Sequence, residues 1–265
     1  MNVHLMTRRV RLLVTVLGFA TAAACASAGR GVPAGTSLPD KFLFDKGTEA
    51  LDARKWLTAR EYFRQIVDTY TQSPYRPDAK LGLGDTFLGE GTPDGLVRAL
   101  GEFGEFLAFF PTSPRADYAQ YKLGMVHFRQ MRAPQRDQTQ TREAVKELET
   151  FVERYPNSTL MVEGKARLRD ARDRLSRSDY EVGFFYYRQR WYPGAVERFK
   201  AVLKQDPEFT NRDAVYFYLG EALVKGNRKP EALPYYEKLI EEFHQSEYLA
   251  DASKRIAELK PEAKS

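Results

Sequence analysis

The chain has few residues with the chemistry of a catalytic or metal site. Its 265 residues include one cysteine, Cys25, and three histidines, His4, His127 and His244. A single thiol cannot form an internal disulfide or a zinc site built from several thiolates. The sequence also contains no HExxH motif, no CxxC motif and no nucleophile elbow. We therefore expect no metal, no cofactor and no enzymatic activity.

A glycine-rich stretch, GLGDTFLGEGTPDG at residues 82–95, is the one segment that superficially resembles a phosphate-binding loop. It lacks the Lys-Ser/Thr ending of a P-loop, and no strand is predicted before it. Its acidic residues also lack the spacing of a calcium loop. We interpret the stretch as an inserted turn between helices.

The surroundings of Cys25 indicate covalent attachment of lipid. The sequence Ala22-Ala23-Ala24-Cys25 resembles the lipobox of bacterial lipoproteins, although leucine is more usual where Ala22 stands. In those proteins the cysteine thiol takes a diacylglycerol, the chain is cut before the cysteine, and the new amino terminus is acylated. Each buried CH₂ contributes about 0.8 kcal/mol, so two or three acyl chains hold a protein stably on a membrane. Cys25 is therefore the predicted site of lipid attachment.

Residues 1–24 read as a lipoprotein signal peptide. A basic n-region, MNVHLMTRRVR, precedes an apolar h-region, LLVTVLGFA, and a run of small residues. Two alternatives remain open at this point. Cleavage after Ala28 would discard Cys25 and release a soluble protein, and the uncharged run between Arg11 and Arg30 could be retained as a transmembrane anchor.

Residues 25–38 are predicted to be the lipidated cysteine and a flexible tether, because they lack periodicity and are rich in Ala, Gly, Ser and Pro. Such a tether reaches about 20 Å. The net charge of +5 falls to +2 when the three arginines of residues 1–24 are removed. The remaining basic residues alternate with acidic ones, which argues against a nucleic-acid partner.

Residues 39–260 predict an all-α, right-handed superhelical solenoid of about five tetratricopeptide helix-turn-helix repeats. The clearest repeat contains Gly183, Ala195, Phe199 and Pro207, which meet every spacing of the tetratricopeptide pattern. The predicted repeats cover about residues 40–73, 77–112, 117–156, 176–209 and 213–246, and a capping helix covers 247–260. We also expect Thr139 or Thr141 to cap a helix, and a long linking helix to run into the fourth repeat.

Small residues are needed where the two helices of a repeat cross closely, and large residues fill the space beside them. The predicted packing positions are Gly47, Ala59, Phe63, Gly84, Ala99, Phe103, Gly124, Ala144, Gly183, Ala195, Phe199, Gly220, Ala232 and Tyr236.

The adjacent stripe on the first helix of each repeat faces the concave side of a solenoid. Its residues are Phe44, Leu81, Tyr121, Met125, Phe128, Tyr180, Phe184, Tyr187 and Phe217. Such a stripe suits a peptide with apolar or aromatic anchors. The alternative is that the linking helix or the insert of the third repeat covers these rings as ordinary core.

The chain resembles the BamD family of tetratricopeptide lipoproteins from the outer-membrane β-barrel assembly (BAM) machine. The resemblance covers nearly all of residues 25–260 and includes the stretches AAAC, ARKWLTAREYFRQIVDTYTQSPY and KARLRDARDRL. Its most specific parts are DQTQTREA and YEVGFFYYRQRWYPGAVERF, because the repeat pattern alone would not separate the family from other periplasmic tetratricopeptide proteins.

The resemblance implies that the C-terminal repeats dock on a periplasmic POTRA domain of the barrel subunit BamA. The docking segment corresponds to residues 186–199, with Tyr186, Tyr187, Arg188 and Arg198 as interface residues. It also implies that an N-terminal groove engages segments of unfolded outer-membrane proteins, with Phe44, Leu81, Tyr121, Met125 and Phe128 as contacts.

The resemblance further implies that other Bam lipoproteins are possible partners. Because Ala26 rather than aspartate follows Cys25, it implies sorting to the outer membrane, with the protein anchored on the periplasmic face. The alternative is a soluble periplasmic adaptor of the Tol-Pal-associated type, which usually has an N-terminal coiled coil that this chain lacks.

Overall fold

The computed structural model describes residues 32–260, so Cys25 and the signal peptide lie outside the described residues. The described residues form eleven α-helices and no strand. The helices are α1 (Pro39–Asp52), α2 (Trp56–Thr69), α3 (Arg76–Glu90), α4 (Pro93–Phe109), α5 (Ala116–Arg129), α6 (Thr139–Arg154), α7 (Met161–Arg188), α8 (Tyr192–Gln205), α9 (Arg212–Lys225), α10 (Lys229–Glu242) and α11 (Leu249–Leu259).

Consecutive helices pack as hairpins. The hairpins are α1 with α2, α3 with α4, α5 with α6, α7 with α8, and α9 with α10. The first helix of each later hairpin also contacts the second helix of the preceding one, so the hairpins stack into a solenoid. Helix α11 packs on α10 at the end of the stack. The prediction of five tetratricopeptide repeats with a C-terminal capping helix is confirmed.

The solenoid is held together by rings that fill the space left by glycines. Phe63 of α2 lies between Gly47 of α1 and Gly82 of α3, and a Cβ atom at either glycine would lie 2.6 Å from the ring. Gly183 faces Phe199 in the same way, at 2.8 Å. The same arrangement joins Gly84 with Phe103 and Gly220 with Tyr236. The five alanines at the predicted packing positions, Ala59, Ala99, Ala144, Ala195 and Ala232, are fully buried.

The third repeat departs from this scheme. Leu148 rather than an aromatic ring faces Gly124, and a Cβ atom there would lie 2.7 Å from its Cγ. The nearest ring, Phe151, instead contacts Gly164 near the start of α7. The first turns of α7 therefore continue the N-terminal stack of helices.

Helix α7 is a single helix of 28 residues, so the predicted linking helix is continuous with the first helix of the fourth repeat. In α3, Gly82 faces α2 of the preceding hairpin and Gly84 faces α4 of the same hairpin. These two glycines are two positions apart. The corresponding glycines of α7, Gly164 and Gly183, are 19 positions apart. The additional 17 residues add about 26 Å of helix at 1.5 Å per residue. Helix α7 thus separates an N-terminal stack from a C-terminal stack.

Serine and aspartate side chains close the first and the fifth repeats. Ser73 donates a hydrogen bond to Asp40 at 2.7 Å, and Ser246 donates one to Asp213 at 2.7 Å. Each aspartate lies in the first turn of a repeat's first helix, and each serine lies in the turn after the second helix. The bond therefore joins the two ends of one hairpin.

The predicted N-caps of α6 are wrong. Thr139 is the first helical residue, and its backbone N–H donates to Asp137 at 3.2 Å. The hydroxyl of Thr141 is buried and donates to Gln138 rather than to the backbone of the helix end. Asp137 rather than a threonine therefore accepts from the start of the helix, because α6 begins at Thr139 itself.

Candidate partner-binding surfaces

The histidine and acidic side chains of residues 32–260 do not assemble a metal site. In that range no three His, Cys, Asp or Glu side chains come together in a way that could hold a metal ion. The Nδ1 atom of His127 lies 2.8 Å from the Gln140 side chain, and His244 is exposed. None of the eleven helices combines the length and the apolar character that a bilayer crossing requires.

The glycine-rich stretch 82–95 is mostly helix rather than an inserted turn, so that interpretation is corrected. Gly82 and Gly89 lie within α3, where Phe63 and Trp56 leave no room for a side chain. Only Gly91, with φ of 69°, and Thr92 connect α3 to α4. Gly82 and Gly89 are needed because neighbouring rings approach α3 closely, whereas Gly91 adopts a left-handed conformation between the two helices.

Two of the five residues predicted for the N-terminal groove are core residues. Leu81 is 2% exposed and packs with Phe103 and Phe106, and Tyr121 is 5% exposed. The ring of Tyr121 lies 5.6 Å from that of Phe151. Burial, followed by a hydrogen bond to Glu163, raises the pKa of Tyr121 to about 12. The alternative stated above therefore holds for Tyr121, because the first turns of α7 cover it.

The other three predicted groove residues are half-buried. The ring of Phe44 stacks on that of Tyr75, with centroids 5.2 Å apart. Met125 and Phe128 pack against the cluster around Leu148, and the guanidinium of Arg167 lies 5.5 Å from the centre of the Phe128 ring. Each of the three keeps an exposed portion beside a basic or aromatic neighbour.

The C-terminal part of the concave stripe is an aromatic cluster closed by the capping helix. Phe184 meets Tyr218 edge to face at 4.8 Å, and Phe217 stacks on Tyr248 at 4.7 Å. Tyr248 directly precedes α11, so the cap covers this end of the stripe. Tyr180 is 5% exposed and belongs to the same core.

The predicted docking segment and the turn of α7 directly before it present two large rings to solvent. Phe185 is 56% exposed and Trp191 is 55% exposed, and Val182 one turn earlier on α7 is 37% exposed. Tyr186 meets Trp191 edge to face at 4.5 Å and holds it in place. Gly194 lies under the indole, where a Cβ atom would be 2.7 Å from the ring. The tryptophan is therefore exposed but fixed.

The other predicted interface residues of the segment differ in their exposure. Arg188 and Arg198 are exposed. Tyr187, in contrast, accepts a hydrogen bond from Lys225, whose ammonium lies 4.5 Å from the centre of its ring. Tyr187 therefore packs within the protein, while the two arginines are free to meet a partner.

Sequence reasoning missed Phe185, Trp191 and Val182 as surface residues. The signal was present, because Tyr180, Gly183 and Phe184 follow the spacing of one helix face, and Val182 and Phe185 fall outside it. An apolar residue off the buried face of an amphipathic helix is exposed, and a cluster of such residues marks an interaction site.

Comparisons with known proteins agree with the helical repeats and extend beyond them. A family model described as "Outer membrane lipoprotein" (YfiO) matches residues 36–229. A second model, "Tetratricopeptide repeat", matches residues 214–246, which include α9 and α10.

Three relatives carry the name "Outer membrane protein assembly factor BamD". The Caulobacter vibrioides protein is 27% identical over 73% of this chain and 63% of its own length. The Haemophilus influenzae protein is 25% identical over 82% of this chain and 85% of its own length. The Vibrio cholerae protein is 25% identical over 69% of this chain and 78% of its own length. The match thus spans less than two thirds of the Caulobacter relative.

Proposed function

The chain belongs to the YfiO outer membrane lipoprotein family, and from this premise we propose that it is an assembly factor for outer-membrane β-barrel proteins. It acts as a non-catalytic scaffold that binds other polypeptides. The names of the BamD relatives support this role.

The C-terminal stack binds a POTRA domain of BamA through the docking segment at residues 186–199. The observation that carries this proposal is the exposed indole of Trp191, which Tyr186 and Gly194 hold in place. Phe185, directly before the segment, and Arg188 and Arg198 within it are also exposed. Interfaces are anchored by Trp, Tyr and Arg residues near their centre, and such residues cost most when truncated. Exposed aromatic rings and exposed arginines in one segment suit a partner that presents apolar residues and acidic groups.

Co-purification of BamA from membranes tests this proposal. We expect Arg198→Glu to lower the recovery of BamA, because it reverses the charge of an exposed residue in the docking segment. The matched control is Arg64→Glu, an exposed arginine on α2 in the N-terminal stack. Equal recovery of BamA with Arg198→Glu and wild type, at unchanged helical content, would remove Arg198 from the interface.

The N-terminal stack receives segments of unfolded barrel proteins at Phe44, Met125 and Phe128, the three predicted groove residues that keep an exposed portion. Phe44→Ala with Phe128→Ala should weaken cross-linking to a peptide from the C-terminus of a barrel protein. Cross-linking that stays at the wild-type level would assign these rings to packing alone.

A lipid on Cys25 holds this scaffold on the periplasmic face of the outer membrane. The motif at residues 22–25 and the family's description as an outer membrane lipoprotein support this part of the proposal. Anchoring confines the protein to the surface where BamA and its clients meet, which raises the effective concentration of each partner.

A further inference from the structure

A notch opens where the two stacks of the solenoid diverge along α7. It has a volume of about 680 Å³ and is walled by α6, by the middle of α7 and by the turn after α8. Arg142 and Val145 line one wall, Leu175 and Asp179 form the floor, and Pro207 lies on the opposite wall. The 17 additional residues of α7 create this space, because they offset the second stack from the first. We refer to these five residues as the α7 notch.

The acidic side chains around the notch differ in whether they accept hydrogen bonds or form ion pairs. Glu149 accepts a hydrogen bond of 2.7 Å from Arg172. Asp206 is buried and accepts hydrogen bonds from Arg169 and Ser176. Within residues 32–260, the carboxylate of Asp179 is half-buried and forms no hydrogen bond and no ion pair. Asp179 is therefore the unsatisfied acid of the notch.

The lack of a hydrogen-bond partner for Asp179 within the described residues is unusual in its partly buried environment. Burial raises the pKa of the Asp179 carboxyl above its ordinary value, although the positive charges of Arg198 and Arg142 act against the rise. Neither arginine reaches the carboxylate to bond it, and Arg142 instead donates to the Thr139 hydroxyl at 3.3 Å. A partly desolvated carboxylate without a bonded partner costs folding free energy, and a bound cation would recover it.

The apolar side chains of the notch lie beside this carboxylate. Val145 of α6 and Leu175 of α7 are half-buried and line the same cavity. Leu175 and Asp179 are four residues apart on one helix, so they occupy neighbouring positions on the same face. A guest that satisfies both must combine a positive charge with aliphatic side chains.

We propose that the α7 notch is a docking site for a polypeptide segment of a partner protein that places an arginine or lysine against Asp179. Aliphatic side chains on either side of that residue pack on Leu175 and Val145. The proposal rests on the geometry of the notch and holds whether or not the docking segment at residues 186–199 binds BamA.

Three labelled peptides test this proposal by fluorescence anisotropy with the full mature chain in detergent micelles. The peptides are acetyl-Ala-Leu-Arg-Leu-Ala-amide and its versions with citrulline or glutamate in place of arginine. Citrulline keeps the shape of arginine but has no charge. We expect the arginine peptide to bind wild type about tenfold more tightly than the citrulline peptide. The reason is that a hydrogen bond between two charged groups is stronger than one with a neutral donor.

The preference for arginine should disappear in Asp179→Asn and remain in Asp170→Asn. Asp170 is an exposed acid on the same helix that pairs with Arg167 at 3.6 Å. Equal binding of the arginine and citrulline peptides to wild type, or an arginine preference that survives in Asp179→Asn, would overturn the proposal. Tightest binding of the glutamate peptide would do the same, because it would assign the notch to an acidic guest at Arg142.

Two further measurements separate peptide binding from a role of Asp179 in folding and from self-association of the chain. Asp179→Asn should melt at or above the wild-type temperature, since it removes an unsatisfied charge. A lower melting temperature would mean that Asp179 serves the fold, and would overturn the proposal. Self-association of wild type that is lost in Asp179→Asn, seen by analytical ultracentrifugation, would assign the notch to a second copy of this chain and would also overturn it.

Discussion

The hydroxyl of Ser158, in the turn after α6, donates a hydrogen bond of 2.6 Å to Asp117 at the start of α5. The same hydroxyl accepts from the backbone N–H of Leu160 at 3.1 Å. One side chain therefore fixes the turn that leads into α7 and ties it to the beginning of its own repeat. The two residues are 41 positions apart here and 33 apart in the first and fifth repeats, so the third hairpin contains eight additional residues.

Removal of this hydroxyl should loosen the third repeat. We expect Ser158→Ala to lower the free energy of unfolding by about 1 kcal/mol, because a part-buried Asp117 loses its donor. Urea denaturation followed by circular dichroism measures the change. Ser253→Ala is the matched control, since Ser253 is exposed and bonds only the backbone of its own helix. A loss in Ser158→Ala no larger than in the control would contradict the role given to Ser158.

The fourth repeat uses the same chemistry with the two partners exchanged. Here the aspartate, Asp206, lies in the turn after α8, and the serine, Ser176, lies on α7 and donates to it. Arg169 adds two further hydrogen bonds to the same carboxylate. This group joins the C-terminal stack to the middle of α7.

The stability that Asp206 provides should depend on pH. Burial alone would raise the pKa of Asp206, but the hydrogen bonds from Arg169 and Ser176 outweigh it and lower the pKa below the ordinary value. A lowered folded-state pKa gives stability that is complete above the unfolded-state pKa of about 4 and is lost as the pH falls through the folded-state value. Asp206→Asn should therefore melt below wild type at pH 7.

Thermal melts between pH 7 and pH 3 test this expectation. The difference between wild type and Asp206→Asn should narrow as the pH falls below about 4, because wild type then loses the same carboxylate interaction. Asp170→Asn, which removes an exposed acid, is the control and should follow wild type throughout. A difference that stays constant over the whole range would show that protonation of Asp206 is not the cause.

The close approach of rings to glycines gives a prediction with an internal control. Gly82→Ala should destabilise the protein by about 1 to 3 kcal/mol, because its Cβ atom would lie 2.6 Å from Phe63. Gly101→Ala should instead stabilise it by about 0.5 to 1 kcal/mol, since Gly101 is helical and nothing lies within 4 Å of its Cβ position. Chemical denaturation of both variants measures the contrast, and equal effects would contradict the packing scheme.

The sequence predicts the repeats well because their signal is local. Gly183, Ala195 and Phe199 have fixed spacings that come from one pair of crossing helices, and Gly47, Ala59 and Phe63 repeat them. Coverage of Tyr121 is different, since it depends on α7, which begins 40 residues later. A concave position and a core position have the same residue types at the same spacing. Only the placement of α7 separates them.

In and directly before the docking segment, sequence reasoning missed exposed residues instead of misplacing a buried one. A resemblance implies an interface at residues 186–199, but it does not predict that the Tyr186 ring and Gly194 hold the exposed indole of Trp191 in place. The bond between Ser158 and Asp117 is equally difficult to predict, because the two residues are 41 positions apart and their spacing changes with each insertion. Contacts across a variable insertion leave no fixed spacing in the sequence.

Lipid attachment to Cys25 predicts a defined mature N-terminus. Intact-mass and peptide mass spectrometry of the protein purified from membranes should find a first residue of Cys25 that carries three acyl chains. Cys25→Ser should stop this processing, whereas a conservative change at Ser27 should leave it intact. An unmodified peptide that begins at Gly29 would contradict the lipoprotein assignment and support the soluble alternative.

The affinity of the mature chain for the purified POTRA domains of BamA from the same organism tests the central claim most directly. Isothermal titration calorimetry should find that Phe185→Ser with Trp191→Ser weakens binding at least about tenfold, because truncation of buried aromatic anchors at an interface commonly costs 2 kcal/mol or more. Phe109→Ser is the matched control, since Phe109 is 70% exposed but lies on α4 in the N-terminal stack. The account predicts wild-type affinity for this control. Undetectable binding of the wild-type chain, or equal affinity of the double variant and wild type, would contradict it.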